Sequence, residues 1–242
     1  MIITKEEALS LNVGVGRVLV RIPYVITPDV ILNNAKISLQ AVSDEARIML
    51  AARSGIVVSV NAKADLGPLN YSWDGPVEVE VGDQVWFTPD AIAKICTVQR
   101  DESFYFAYQD GEEMVHLLIV PYKELVLRKS DSGFLALNDY VICKRVPMKK
   151  ISQFIILEHL EGASGDEPDI FDVVYTPSRD IKYDWKKNFP FKSGWKSVSC
   201  EVGERIKTFR GAPVDLEFSY NRTMDPFVFI QSHIIMAKID GE

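Results

Sequence analysis

The feature that most constrains this chain is an internal repeat. Glu80-Val81-Gly82-Asp83-Gln84-Val85-Trp86-Phe87 returns as Glu201-Val202-Gly203-Glu204-Arg205-Ile206-Lys207-Thr208-Phe209, each reading acid, Val, Gly, acid, any residue, β-branched. The two glycines lie 121 positions apart. Upstream, Val18-Leu19-Val20-Arg21 is matched 123 positions later by Val141-Ile142-Cys143-Lys144, and a proline soon follows each, Pro23 and Pro147. Between these landmarks Ile56-Val57-Val58 aligns with Val173-Val174-Tyr175. Toward each end, Leu118-Ile119-Val120 followed by Leu125-Val126-Leu127 resembles Val228-Phe229-Ile230 followed by Ile234-Ile235-Met236. Landmarks in one order at a nearly constant offset imply two similar units. A linker is expected over residues 129–133 (KSDSG), whose composition is that of a flexible connection, so the units are 1–130 and 131–242.

Both units read as β. Residues 17–22, 55–60, 77–81, 84–87, 103–108 and 116–120 are short, rich in β-branched and aromatic residues, and bounded by Gly, Pro, Asn or Asp, the punctuation of strands joined by turns. Residues 77–81 alternate Val and Glu, which predicts a half-buried strand with Glu78 and Glu80 on one face. Gly82 then offers the positive φ that a sharp turn needs, and Asp83 suits the turn by accepting from nearby backbone N–H groups. Only residues 39–53 (LQAVSDEARIMLAAR) read as a helix, with Val42, Ala46, Met49 and Leu50 near helical spacing. The expected fold class is all-β, a sandwich or barrel.

Composition sets the outer limits. Twelve Phe, nine Tyr and four Trp supply enough apolar surface to exclude disorder as the dominant state. The longest run free of Asp, Glu, Lys and Arg is residues 226–237, twelve residues, against about 20 for a membrane-spanning helix. No basic flank and apolar run open the sequence, so no secretory signal is expected. A net charge of −7 argues against nucleic acid as a partner. Cys96, Cys143 and Cys200 are odd in number and far apart, which fits buried free thiols in a reducing cytoplasm.

No catalytic pattern is present: there is no GxSxG, HExxH or GxxxxGK[ST]. Gly14-Val15-Gly16 begins like a dinucleotide loop, but Leu19 occupies the third glycine position and a β run follows where a helix is needed. His116, His159 and His233 are scattered, and Asp166, Glu167 and Asp169 form a charge run in a Gly/Ser/Pro setting, read as a solvated loop. The expectation is a non-catalytic chain with no metal and no cofactor.

The order of landmarks resembles the GroES-like co-chaperonin family. Each unit is similar to one family domain: an opening strand (Arg17-Val18-Leu19-Val20-Arg21), a long loop, a GxV strand (Gly55-Ile56-Val57), V-x-V-G-D-x-V over residues 79–85, then two closing apolar strands. The second unit keeps the order, with Val202-Gly203-Glu204 in place of V-G-D. The resemblance implies two tandem GroES-like β-barrels with long loops, capping a GroEL-type chaperonin ring and assisting ATP-driven folding without catalysis of their own. Family members grip the ring through a mobile loop after the first strand, carrying a short apolar triplet. Val30-Ile31-Leu32 occupies that place in the first unit and Ile155-Ile156-Leu157 in the second. An apolar anchor on a tether suits a hydrophobic groove on a partner. The family's seven-barrel dome further implies a homo-oligomer, although two barrels per chain cannot divide seven.

The sequence departs from the family pattern in three places. No glycines flank either triplet, the first loop carries the helix-like residues 39–53, and residues 175–198 form a long aromatic segment with Tyr183, Trp185, Phe189, Phe191 and Trp195. These departures suggest a divergent member, and leave open a tandem β-barrel structural or assembly protein, for example of a phage particle, that lacks chaperonin activity.

Overall fold

A computed structural model describes residues 2–14, 16–24, 29–32, 35–38, 48, 51–61, 77–96, 102–146, 170–177, 200–208, 213–216 and 227–239. Over these the chain is all-β, dominated by two antiparallel sheets. The first contains β1 (Arg17–Ile22), β4 (Ser54–Val60), β5 (Gln84–Phe87), β6 (Tyr105–Asp110), β7 (Glu113–Pro121), β8 (Leu125–Ser130) and β9 (Gly133–Ala136), in the order β6-β7-β1-β4-β5-β8-β9. The second contains β10 (Tyr140–Arg145), β11 (Ile170–Tyr175), β12 (Arg205–Thr208), β13 (Val214–Asp215), β14 (Phe227–Gln231) and β15 (Ile235–Ile239), in the order β13-β14-β10-β11-β12-β15. A separate hairpin joins β2 (Asp29–Leu32) to β3 (Ala35–Ser38).

The duplication is built into the hydrogen-bond ladders. The order β7-β1-β4-β5-β8 returns as β14-β10-β11-β12-β15. The β1–β4 register shifts between Leu19 and Val20, and the β10–β11 register shifts at the matching place, between Ile142 and Cys143. A second irregularity, between Trp86 and Phe87, is repeated between Lys207 and Thr208. Even the 3₁₀ turns recur: Tyr122–Glu124 leads into β8 as Ser232–Ile234 leads into β15. Two landmark alignments move by one residue. Val57 rather than Ile56 corresponds to Val173, because Val57 faces Val20 as Val173 faces Cys143. Leu125 likewise corresponds to Ile235, since they face Phe87 and Thr208.

Apolar side chains fill both faces of the central strands. In the first sheet Val18, Val20, Val57, Val85, Phe87, Leu118, Val120 and Leu125 close one core, and Val141, Cys143, Phe171, Val173, Ile206, Val228 and Ile230 close the matching core of the second. A third cluster joins the sheets, with Trp86, Val126, Leu127 and Ala136 packed against Tyr140, Ile142, Leu216 and Phe229.

Several sequence expectations need correction. Residues 77–81 are not a strand: Tyr122 Oη accepts from Glu78 N at 3.0 Å and Asp83 Oδ2 from Glu80 N at 2.8 Å, so these donors serve a buried tyrosine and a turn instead of a ladder. Val79 alone is fully buried, and Val81 is 65% exposed. The expected linker at 129–133 is a hairpin turn between β8 and β9, with Gly133 at φ 113°, and the chain changes sheet only after Ala136. Of the expected helix over residues 39–53 only Ile48 and 51–53 are among the described residues; Ile48 is helical, as expected, and 51–53 are not. Two helices were not anticipated. α1 (Lys5–Ser10) opens with a Thr4/Glu7 capping box, and α2 (Pro89–Cys96) has proline at its first turn, where the missing N–H costs nothing. Neither is long and apolar enough to cross a membrane, nor is any other helix among the described residues.

Candidate functional site

The elements that would present a binding loop start from the two glycine turns. At the first, Gly82 has φ 98°, its N–H donates to Val57 O at 2.9 Å, and Val57 N donates to Asp83 O at 2.9 Å. At the second, Gly203 has φ 91°, its N–H donates to Val173 O at 2.9 Å, and Val173 N donates to Glu204 O at 2.8 Å. Each turn pins its strand to the one that follows the long loop, so each fixes where that loop returns to the sheet.

The acidic residue after each glycine also meets a cation from the adjacent strand, β8 in the first sheet and β15 in the second. Arg128 Nη1 lies 3.5 Å from Asp83 Oδ2 and donates to Glu78 O. Lys238 Nζ lies 2.6 Å from Glu204 Oε1, while Glu204 Oε2 accepts from Glu201 N at 2.6 Å. The bond from Lys238 holds the Glu204 carboxyl below the usual carboxylate range, and the same bond raises Lys238. The sequence repeat identified the acids; their basic partners are distant in sequence and became visible only with the strands paired.

The first apolar triplet, Val30, Ile31 and Leu32, forms most of β2. It pairs with β3 in the register Val30 to Ile37, Ile31 to Lys36 and Leu32 to Ala35, and the hairpin belongs to neither large sheet. The triplet therefore lies on a separate two-stranded hairpin that falls between β1 and β4 in the chain. The second triplet, Ile155, Ile156 and Leu157, lies outside the described residues, as do the acidic run 166–169 and the aromatic segment from 178 to 198.

Other titratable groups are structural. Cys143 is fully buried and burial pushes its thiol far upward; Cys200, half-buried, is pushed up to about 11 by the same cause. Both are free thiols held in their unreactive protonated form. His116 Nδ1 is 2.7 Å from Tyr105 Oη, and burial lowers its pKa. Arg53, whose pKa burial lowers despite the nearby Asp215, donates from Nη1 to Asp215 O at 2.9 Å, tying the two sheets together. Among the described residues no group of three His, Cys, Asp or Glu side chains is arranged to hold a metal ion.

No protein-family model matches the chain, and no curated protein matches it.

Proposed function

We propose that this chain is a tandem, divergent GroES-like co-chaperonin that binds a GroEL-type chaperonin ring and assists folding, with the ATPase residing in the partner. The observation that supports the reading best is the pairing of a duplicated sheet, whose V-G-D and V-G-E turns are locked alike, with an apolar triplet carried on a hairpin outside both sheets. In this reading the barrels are scaffolds and the chain is non-catalytic. Val30, Ile31 and Leu32 anchor one loop and Ile155, Ile156 and Leu157 the other, each too small to bind tightly alone. Grip then comes from several anchors acting together, which calls for a homo-oligomer on the ring.

Capture on an immobilised chaperonin ring, with and without ATP, tests this directly. Nucleotide-dependent retention of the full chain is expected. Absence of retention in both conditions overturns the reading and favours a structural or assembly role for the same scaffold.

A further inference from the structure

The duplication shows what covers each sheet on its outer face, and the two units differ there. In the second sheet Ile142, Phe227 and Phe229 face away from their own core and are covered by Trp86, Val126 and Leu127 of the first. The matching residues of the first sheet are Leu19, Leu117 and Ile119, as the ladders pair them. Among the described residues no neighbouring sheet covers these. Instead the N-terminal arm, residues 2–13, folds back onto them: Ala8 and Val13 are buried against Leu19, Tyr108, Val115 and Leu117, with Ile3, Leu11 and Ile119 packed alongside. Ile3 N donates to Ala107 O at 2.9 Å, and Lys5 Nζ reaches Asp110 at 2.8 Å.

The opposite end of the chain shows the complementary surface uncovered. Lys207, Met236 and Ala237 stand where Trp86, Val126 and Leu127 stand in the first sheet, as the β5–β8 and β12–β15 registers show. Trp86, Val126 and Leu127 are buried, whereas Lys207 and Ala237 are exposed and Met236 is 46% exposed. The outer edge of β8 is paired with β9, while β15 is the last strand of its sheet, with no further strand on it among the described residues.

We propose that residues 2–13 are a self-docked plug on a face built to receive a second copy of this chain, and that its release lets the β12–β15 surface of that copy dock there, repeating between chains the contact already made between the two units. The plug is held by the fully buried Ala8 and Val13, the partly buried Ile3 and Leu11, the bonds from Ile3 N to Ala107 O and from Asn61 Nδ2 to Val13 O, and one exposed ion pair, a small contact beside the ladders of the sheets themselves, so it can be displaced. The incoming surface has lysine and alanine where the internal contact has tryptophan and leucine, so association between chains is weaker and reversible. The inference stands on the duplicated fold and does not depend on the chaperonin reading.

Light scattering on the isolated protein tests it without any chaperonin. The full chain is expected at 27.3 kDa in the low micromolar range, and a chain lacking residues 2–13 at twofold that mass or more. Ala8→Asp combined with Val13→Asp, which ejects the arm while keeping it attached, is expected to raise the mass likewise, and serves where the deletion impairs folding. Adding Met236→Glu and Ala237→Arg to either released chain is expected to return it to the monomer mass. Equal masses for the full and released chains overturn the proposal. A raised mass that survives the Met236 and Ala237 changes also overturns it, because the association is then a nonspecific consequence of an uncovered apolar face.

Discussion

At Gly82 the backbone runs at φ 98°, and a Cβ added there meets nothing within 4 Å. At Gly55 the added Cβ would stand 2.4 Å from Arg21 O and 2.5 Å from Val20 Cγ1. These are different constraints on the same residue type. Gly82→Ala is a conformational penalty of about 1–2 kcal/mol, whereas Gly55→Ala forces β4 away from β1 and is expected to cost roughly 3 kcal/mol or more. Urea unfolding of the two variants checks the order; equal losses would refute it. A second residue-scale expectation concerns His116. Its pKa in the folded chain is lowered by burial, so the unfolded chain binds more protons as pH falls through the ordinary histidine value of about 6.5. Stability from this group is thus full above that value and lost as pH falls below it. His116→Gln should flatten this part of the stability–pH curve, and an unchanged slope would assign the acid sensitivity elsewhere.

At the level of elements, the β2–β3 hairpin carries its apolar triplet apart from both large sheets. Ile31→Asp is therefore expected to abolish capture by a chaperonin ring while leaving the melting temperature within a few degrees. A large stability loss would mean that Ile31 is packed in a core, since burying an unpaired charge costs several kcal/mol. Ile156→Asp is the matching change in the second loop, and comparing the two separates the contribution of each anchor. The hairpin itself is not read as one from the sequence: residues 29–38 (DVILNNAKIS) show the apolar triplet, but the pairing of 29–32 with 35–38 is settled only in three dimensions. The missed helices have local signals, Thr4 with Glu7 and Thr88 ahead of Pro89, yet each is too short for periodicity to reveal it.

At the scale of the whole molecule, the two units are held by a shared apolar cluster and by Asp215, whose backbone oxygen accepts from Arg53 and whose carboxylate lies 2.5 Å from Arg145 Nη2. Trp86 is central to the cluster and only 7% exposed, and its ring lies 6.1 Å from that of Phe134, which in turn stacks on Tyr175 at 5.2 Å. Trp86→Ala is expected to cost about 3–5 kcal/mol and to split one unfolding transition into two as the units uncouple. Calorimetry that still shows a single, sharp transition would place the coupling in other contacts.

The sequence by itself determined the fold class, the duplication and the two glycine turns, because β-branched runs and a positive-φ glycine are local properties that repeat visibly at a fixed offset. It also marked Val30, Ile31 and Leu32 as apolar residues in an unusual place. Only the tertiary structure decided that residues 77–81 leave the ladder, that 129–133 is a hairpin, and that Arg128 and Lys238 are the partners of Asp83 and Glu204. The reason is the same in each case: which donor meets which acceptor is settled by strands that are far apart in sequence. The outer faces make the point most clearly. Leu19 and Ile142 are matching, fully buried residues, yet one lies under the chain's own N-terminal arm and the other under a neighbouring sheet, a difference that no pattern of hydrophobicity around either residue records.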